Sequence, residues 1–190
     1  VKYALLIVAL LLSSCDIFST REPEQPSQSN CFGQPPTRPL ITVNNLESAI
    51  VQKCPDNYGS VFSPSAGARP FVFVPSTEGQ EQYAAVFGSW SAEDELSYFR
   101  NLVAKARTNG FSSLFLAPTD SLITADSVVY SFDYTLTFEH TEPGFPYTAR
   151  GNMQLTLAPD ATNFWMLVRW SDFKTTADIT WSLFKGKFGN

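Results

Sequence analysis

The side chains able to do covalent or acid–base chemistry are few and far apart in this chain. His140 is the single histidine, so any nucleophile–histidine–acid relay would have to run through it. Its parity puts it on the apolar side of a strand that ends at Glu142-Pro143-Gly144. No residue nearby has triad spacing, and the expectation is a partly solvated strand-end imidazole. Glu93-Asp94-Glu95 could be read as an acid or metal cluster. Successive helical residues point about 100° apart, however, and carboxylates in a first turn are explained by the helix dipole. A metal site lacks its parts: there is one histidine, no Cys-x-x-Cys and no His-x-x-x-His. Glycine-rich phosphate loops and a Gly-x-Ser-x-Gly elbow are also absent, and no cofactor is implied. Asp133 and Arg169 lie inside strands, where a charge must face water, find a partner or line a pocket; a surface or edge salt bridge is expected.

The cysteines carry more information. Lys2 precedes the apolar run Ala4 to Leu12, which ends in Ser13-Ser14-Cys15. This is the pattern of an export signal, too short to span a bilayer. Leu12-Ser13-Ser14-Cys15 resembles a bacterial lipobox, which implies a diacylglycerol thioether on Cys15 and removal of residues 1–14. The protein is then expected in the cell envelope, lipid-anchored to the inner or outer membrane, since two or three acyl chains anchor stably where one does not. Cleavage would leave 176 residues with a net charge of −6, against −5 for the whole chain. An acidic domain does not track polyphosphate, so nucleic acid is excluded as a partner. Cys31 and Cys54 remain as an even pair in an oxidising compartment, either bridged or as two free thiols.

The elements follow from pattern. Residues 15–40 are polar and rich in proline (Pro23, Pro26, Pro35, Pro36, Pro39), a tether. The folded domain is expected over 41–190, as one unit of ordinary size. Asn44 and Glu47 form a capping-box-like start to a helix carrying Leu46, Ala49 and Ile50, and a second short helix carries Tyr58, Val61 and Phe62. Pro70 to Pro75 reads as a short strand, and a short helix is expected between Glu78 and Phe87. Ser91 caps the clearest helix, with the stripe Leu96, Phe99, Leu102, Val103 and Ala106. After Gly110 the period becomes two. Leu114–Leu116 and Leu122–Ile123 are short strands split by Pro118-Thr119-Asp120. Tyr130, Phe132, Tyr134, Leu136 and Phe138 share one face of a long strand; Ala149, Gly151, Met153, Leu155 and Leu157 share one face of the next. Phe164 to Trp170 is apolar on both faces, so central or covered.

This order gives an α+β domain with N-terminal helices packed on a curved antiparallel sheet, and it resembles the nuclear-transport-factor-2-like (cystatin-like) fold. The resemblance is carried by Asn45 to Ile50 with Asn57-Tyr58, by Trp90 to Glu95 with Tyr98-Phe99, and by Trp170-Ser171-Asp172 with Trp181 to Gly186. With the Thr20-Arg21-Glu22-Pro23-Glu24 tether, the chain is similar to lipoproteins of the Bacteroidetes–Ignavibacteria groups, a family without an assigned activity. The resemblance implies a sheet cone whose candidate lining is Tyr134, His140, Trp165 and Arg169. A non-catalytic binding or interaction module is the first expectation, its partner an apolar small ligand or a protein. The alternatives are an isomerase, dehydratase or hydrolase, which needs His140, Tyr134 and a carboxylate to converge, and a homodimer covering the sheet. Trp90, Trp165, Trp170 and Trp181 either line such a cavity or fill the core.

Overall fold

The computed structural model describes residues 31–176 and 179–189. The signal segment, Cys15 and the first half of the tether lie outside the described residues.

Helix α1 (Pro39–Val51) begins a full turn before Asn44. Pro39 supplies a φ already suited to the first helical position, and Thr42 and Val43 extend the buried face of Leu46, Ala49 and Ile50. After α2 (Pro55–Gly59) comes the three-residue strand β1 (Val72–Val74). The helix expected between Glu78 and Phe87 is two short ones, α3 (Thr77–Gln82) and α4 (Ala84–Phe87). Helix α5 (Ala92–Ala104) starts in a reciprocal capping box between Ser91 and Asp94. Four strands follow, β2 (Ser112–Ile123), β3 (Val128–Phe138), β4 (Thr148–Pro159) and β5 (Trp165–Phe173), then helix α6 (Trp181–Phe188).

The sheet order is β1-β5-β4-β3-β2, antiparallel except for the parallel β1–β5 pair. Two irregularities correct the sequence reading. Pro118-Thr119-Asp120 does not split β2 but makes a register shift within it; proline is tolerated because β2 is an edge strand with no neighbour on its outer side. In β5, Thr156 pairs with Arg169 but Leu157 pairs with Leu167, so Val168 is extra. This bulge inverts the alternation: Leu167 and Trp170 are both buried, and Arg169 faces out.

The alternations of β3 and β4 are those expected. Phe132, Tyr134, Leu136 and Phe138 of β3 and Ala149, Met153, Leu155 and Leu157 of β4 are buried beneath the helices. The opposite face carries Asp133, Thr135, Arg150, Asn152 and Gln154. The domain also begins earlier than residue 41. Cys31 and Cys54 are joined by a disulfide with Cα atoms 5.7 Å apart. Asn45 exchanges hydrogen bonds with both backbone groups of Gln34, at 2.9 and 2.7 Å. Trp165 donates its backbone N–H to Pro36, at 2.8 Å. Residues 31–37 thus form a strap along α1, because each end is bonded to the domain.

Candidate functional site

The curved sheet with α1, α5 and α6 encloses an interior, the cone. Its lining starts from α5. The buried stripe there is Glu95, Tyr98, Phe99 and Leu102, shifted by one residue from the stripe centred on Leu96. Glu95 is therefore not a dipole residue turned to solvent as Glu93 is; it is fully buried. Its carboxylate accepts from Trp90 Nε1 and Tyr58 Oη, both at 2.9 Å, and from Lys185 Nζ of α6. Lys185 is also fully buried. Its ammonium lies 3.5 Å from the Trp170 ring centroid and 3.7 Å from that of Phe73, so the quadrupoles of two aromatic faces supplement one carboxylate. Burial outweighs these partners and pulls the lysine down to about 8.

A second buried carboxylate receives the other end of α6. Thr180, the residue before the helix, makes no side-chain cap. Asp172 of β5 does the capping instead, accepting from Ser182 N at 2.7 Å and Ser182 Oγ at 2.5 Å. Its other oxygen accepts from Tyr134 Oη at 2.8 Å, and that hydroxyl accepts from Trp181 N at 2.7 Å. A carboxylate here meets both the orphan N–H groups and the positive end of the helix. Burial still raises the Asp172 carboxyl, opposed by Ser182 and Tyr134. The phenols of Tyr58, Tyr98 and Tyr134 are all pushed well above their ordinary value, first by burial. Gly151 makes room for the arrangement, since a Cβ there would stand 2.9 Å from Tyr134 Oη.

The four residues expected to line a pocket are dispersed. Tyr134 is spent on Asp172 and Trp181. His140 lies six residues along the same strand path, about 20 Å away at extended spacing. It is fully buried, against the expectation of a partly solvated ring. Tyr147 and Phe188 approach it with ring centroids 5.0 and 5.1 Å away. Its Nδ1 accepts from Glu142 N, which leaves Nε2 to donate to Pro146 O at 3.1 Å. Burial pushes this imidazole below its usual value, and the ring is a neutral bridge within the loop. Trp165 sits at the start of β5, where its carbonyl accepts from Thr42 Oγ1 at 2.6 Å. Arg169 is exposed on the outer face. Asp133, also outside, accepts from Asn152 at 3.3 Å.

Between α1 and the sheet, the space bounded by Val43, Leu46, Leu155 and Leu167 has no room for a water molecule. Clefts on the surface are larger. One of about 550 Å³ runs between the strap and α2, with Gln34, Asn57, Asp160 and Phe164 on its walls. Among the described residues no three His, Cys, Asp or Glu side chains are grouped to hold a metal ion, and no helix is long and apolar enough to cross a membrane. Asp172, Ser182 and Lys185 lie in the motifs that carry the fold resemblance, Trp170-Ser171-Asp172 and Trp181 to Gly186, but sequence reasoning gave them no role in the site. The signal for Glu95 was present, since it stands three, four and seven residues before Tyr98, Phe99 and Leu102.

No family model matches the chain, and no curated protein matches it. Solved structures do. A conserved protein from Planctomyces limnophilus superposes with a TM-score of 0.54 at 10% identity, covering 70% of this chain and 91% of that one. A ketosteroid isomerase-like protein from Erwinia carotovora atroseptica gives 0.52 at 10% identity, covering 77% and 100%. A proposed dehydratase from the NTF2-like family, from Streptomyces avermitilis, gives 0.52 at 12% identity, covering 72% and 93%. At such identities the likeness concerns architecture, and the architecture of this chain is the nuclear-transport-factor-2-like α+β fold.

Proposed function

We propose that the protein is a lipoprotein of the cell envelope, anchored through Cys15, whose domain works as a non-catalytic binding or interaction module through its outer surface. The observation that carries this reading is that the cone's acid–base groups are occupied: Glu95, Lys185, Asp172 and Tyr134 are bonded to one another or to α6, and none is exposed. A cone enzyme needs an acid and a base reachable by substrate. Here two carboxylates meet tyrosines, but Asp172, with Tyr134, caps a helix and Glu95, with Tyr58, is paired to Lys185, and the histidine is far from the Asp172–Tyr134 pair. The isomerase-like and dehydratase names of similar structures therefore transfer poorly to this chain.

Recognition is left to the outside. The outer sheet face presents Arg150, Asn152, Gln154 and Asp133, and in register beside them the exposed apolar side chains of Val72, Phe115, Leu122 and Phe173. A face that mixes charged groups with exposed apolar side chains suits a protein partner, as non-obligate interfaces are no more apolar than ordinary surface. The test has two arms. Incorporation of a labelled fatty acid in a bacterial host is expected for the full chain and lost in Cys15→Ser. The folded domain is expected not to take up an apolar fluorescent probe; one-to-one uptake would overturn the occupied-cone reading.

A further inference from the structure

The grouping around Lys185 has the composition of an amine receptor. Two aromatic faces, Phe73 and Trp170, meet the ammonium at 3.7 and 3.5 Å, with their rings 87° apart. A carboxylate, Glu95, closes the third side and is itself held by Trp90 Nε1 and Tyr58 Oη. Phe73 comes from β1, Trp170 from β5 and Glu95 from α5, so the receptor side belongs to the framework and the cation alone comes from α6. Recognition of ammonium ligands by aromatic faces joined to a carboxylate uses this same chemistry.

From this arrangement we infer that the cone interior is a binding cage for a primary alkylammonium, with α6 supplying the ligand in cis. The walls are held without Lys185: Glu95 keeps two donors of its own, and Phe73 packs edge-on to Trp170 and at 5.5 Å from Phe87. A cage held by its own framework accepts the same cation from solution once the tethered one is shortened. Lys185→Ala removes three methylenes and the ammonium, which n-propylammonium replaces.

The experiment measures thermal unfolding of the oxidised full chain carrying Lys185→Ala, with n-propylammonium or n-propanol added. Saturating n-propylammonium is expected to raise Tm by about 5–10 °C, n-propanol by much less, and neither is expected to move the unsubstituted protein. Adding Glu95→Gln to Lys185→Ala should weaken the response. Equal rescue by n-propanol would mean a refilled apolar cavity and no cation site, and would overturn the inference. Absence of rescue, or an equal rise in the unsubstituted protein, would overturn it as well. If Lys185→Ala does not fold alone, refolding yield with the two additives gives the same discrimination. Lys185→Met, which fills the space, is expected to fold and to ignore both.

Discussion

Replacing Lys185 by methionine keeps most of the side-chain volume and removes the charge, leaving Glu95 buried beside Trp90 Nε1 and Tyr58 Oη. Two hydrogen bonds do not replace a counter-ion in an interior of low polarity. Breaking one side of a buried pair costs about 3–5 kcal/mol, so for a domain of this size Tm should fall by about 6–20 °C. Glu95→Gln alone leaves the lysine with the aromatic faces and a neutral amide oxygen but no counter-charge, and should cost a comparable amount. The double substitution removes both charges, and the amide oxygen can still accept from Trp90. It should therefore return to within about 2 kcal/mol of the parent, giving a coupling of at least about 4 kcal/mol. Urea unfolding followed by tryptophan fluorescence, with the disulfide kept oxidised, measures all four corners. Single substitutions that cost under about 1 kcal/mol, or that simply add, would refute the claim that this pair holds α6 in the cone.

Asp172→Asn should destabilise by about 2–3 kcal/mol, because charged acceptors at a helix start outweigh neutral ones; chemical denaturation of the variant tests it. His140 is depressed in the folded state, so the unfolded chain binds the proton more readily below its ordinary value of about 6.5. Stability should be complete above that pH and fall as pH drops through and below it, with a shallower fall in His140→Phe, as read by unfolding titrations between pH 7 and 5. Reducing the Cys31–Cys54 bridge, whose cysteines are 23 residues apart, should cost about 3 kcal/mol in the chain-entropy account. It should also speed hydrogen exchange at Phe32 and Gln34 while sparing β3. Gly151→Ala forces a Cβ against Tyr134 Oη and the Phe173 carbonyl, and should cost about 1–3 kcal/mol by overpacking, measurable as a Tm loss.

What the sequence makes legible depends on how local the cause is. The long strands β3 and β4 declare themselves because one face is buried and the period is two. Helix α5 does so because Ser91, its acidic first turn and its apolar stripe agree. Helix α6 carries no such mark. Trp181 to Gly186 are all buried, so there is no polar face to give a period, and Gly186 lowers its intrinsic propensity. Its cap comes from Asp172 and Tyr134, both distant in sequence. The bulge at Val168 is equally silent, and without it Arg169 falls on the wrong face. Burial of Glu95 could be read from spacing, but its partner could not, because the pair joins residues 90 positions apart.

The most direct test of a closed cone is native-state hydrogen exchange at the backbone N–H groups of Trp181 and Ser182, which donate to Tyr134 and Asp172. Their opening free energy is expected to equal that of the central β3 and β4 amides, so that α6 leaves only when the whole domain unfolds. Exchange of these two groups through a local opening several kcal/mol cheaper than global unfolding would contradict the account, and would return the cone to the list of accessible sites.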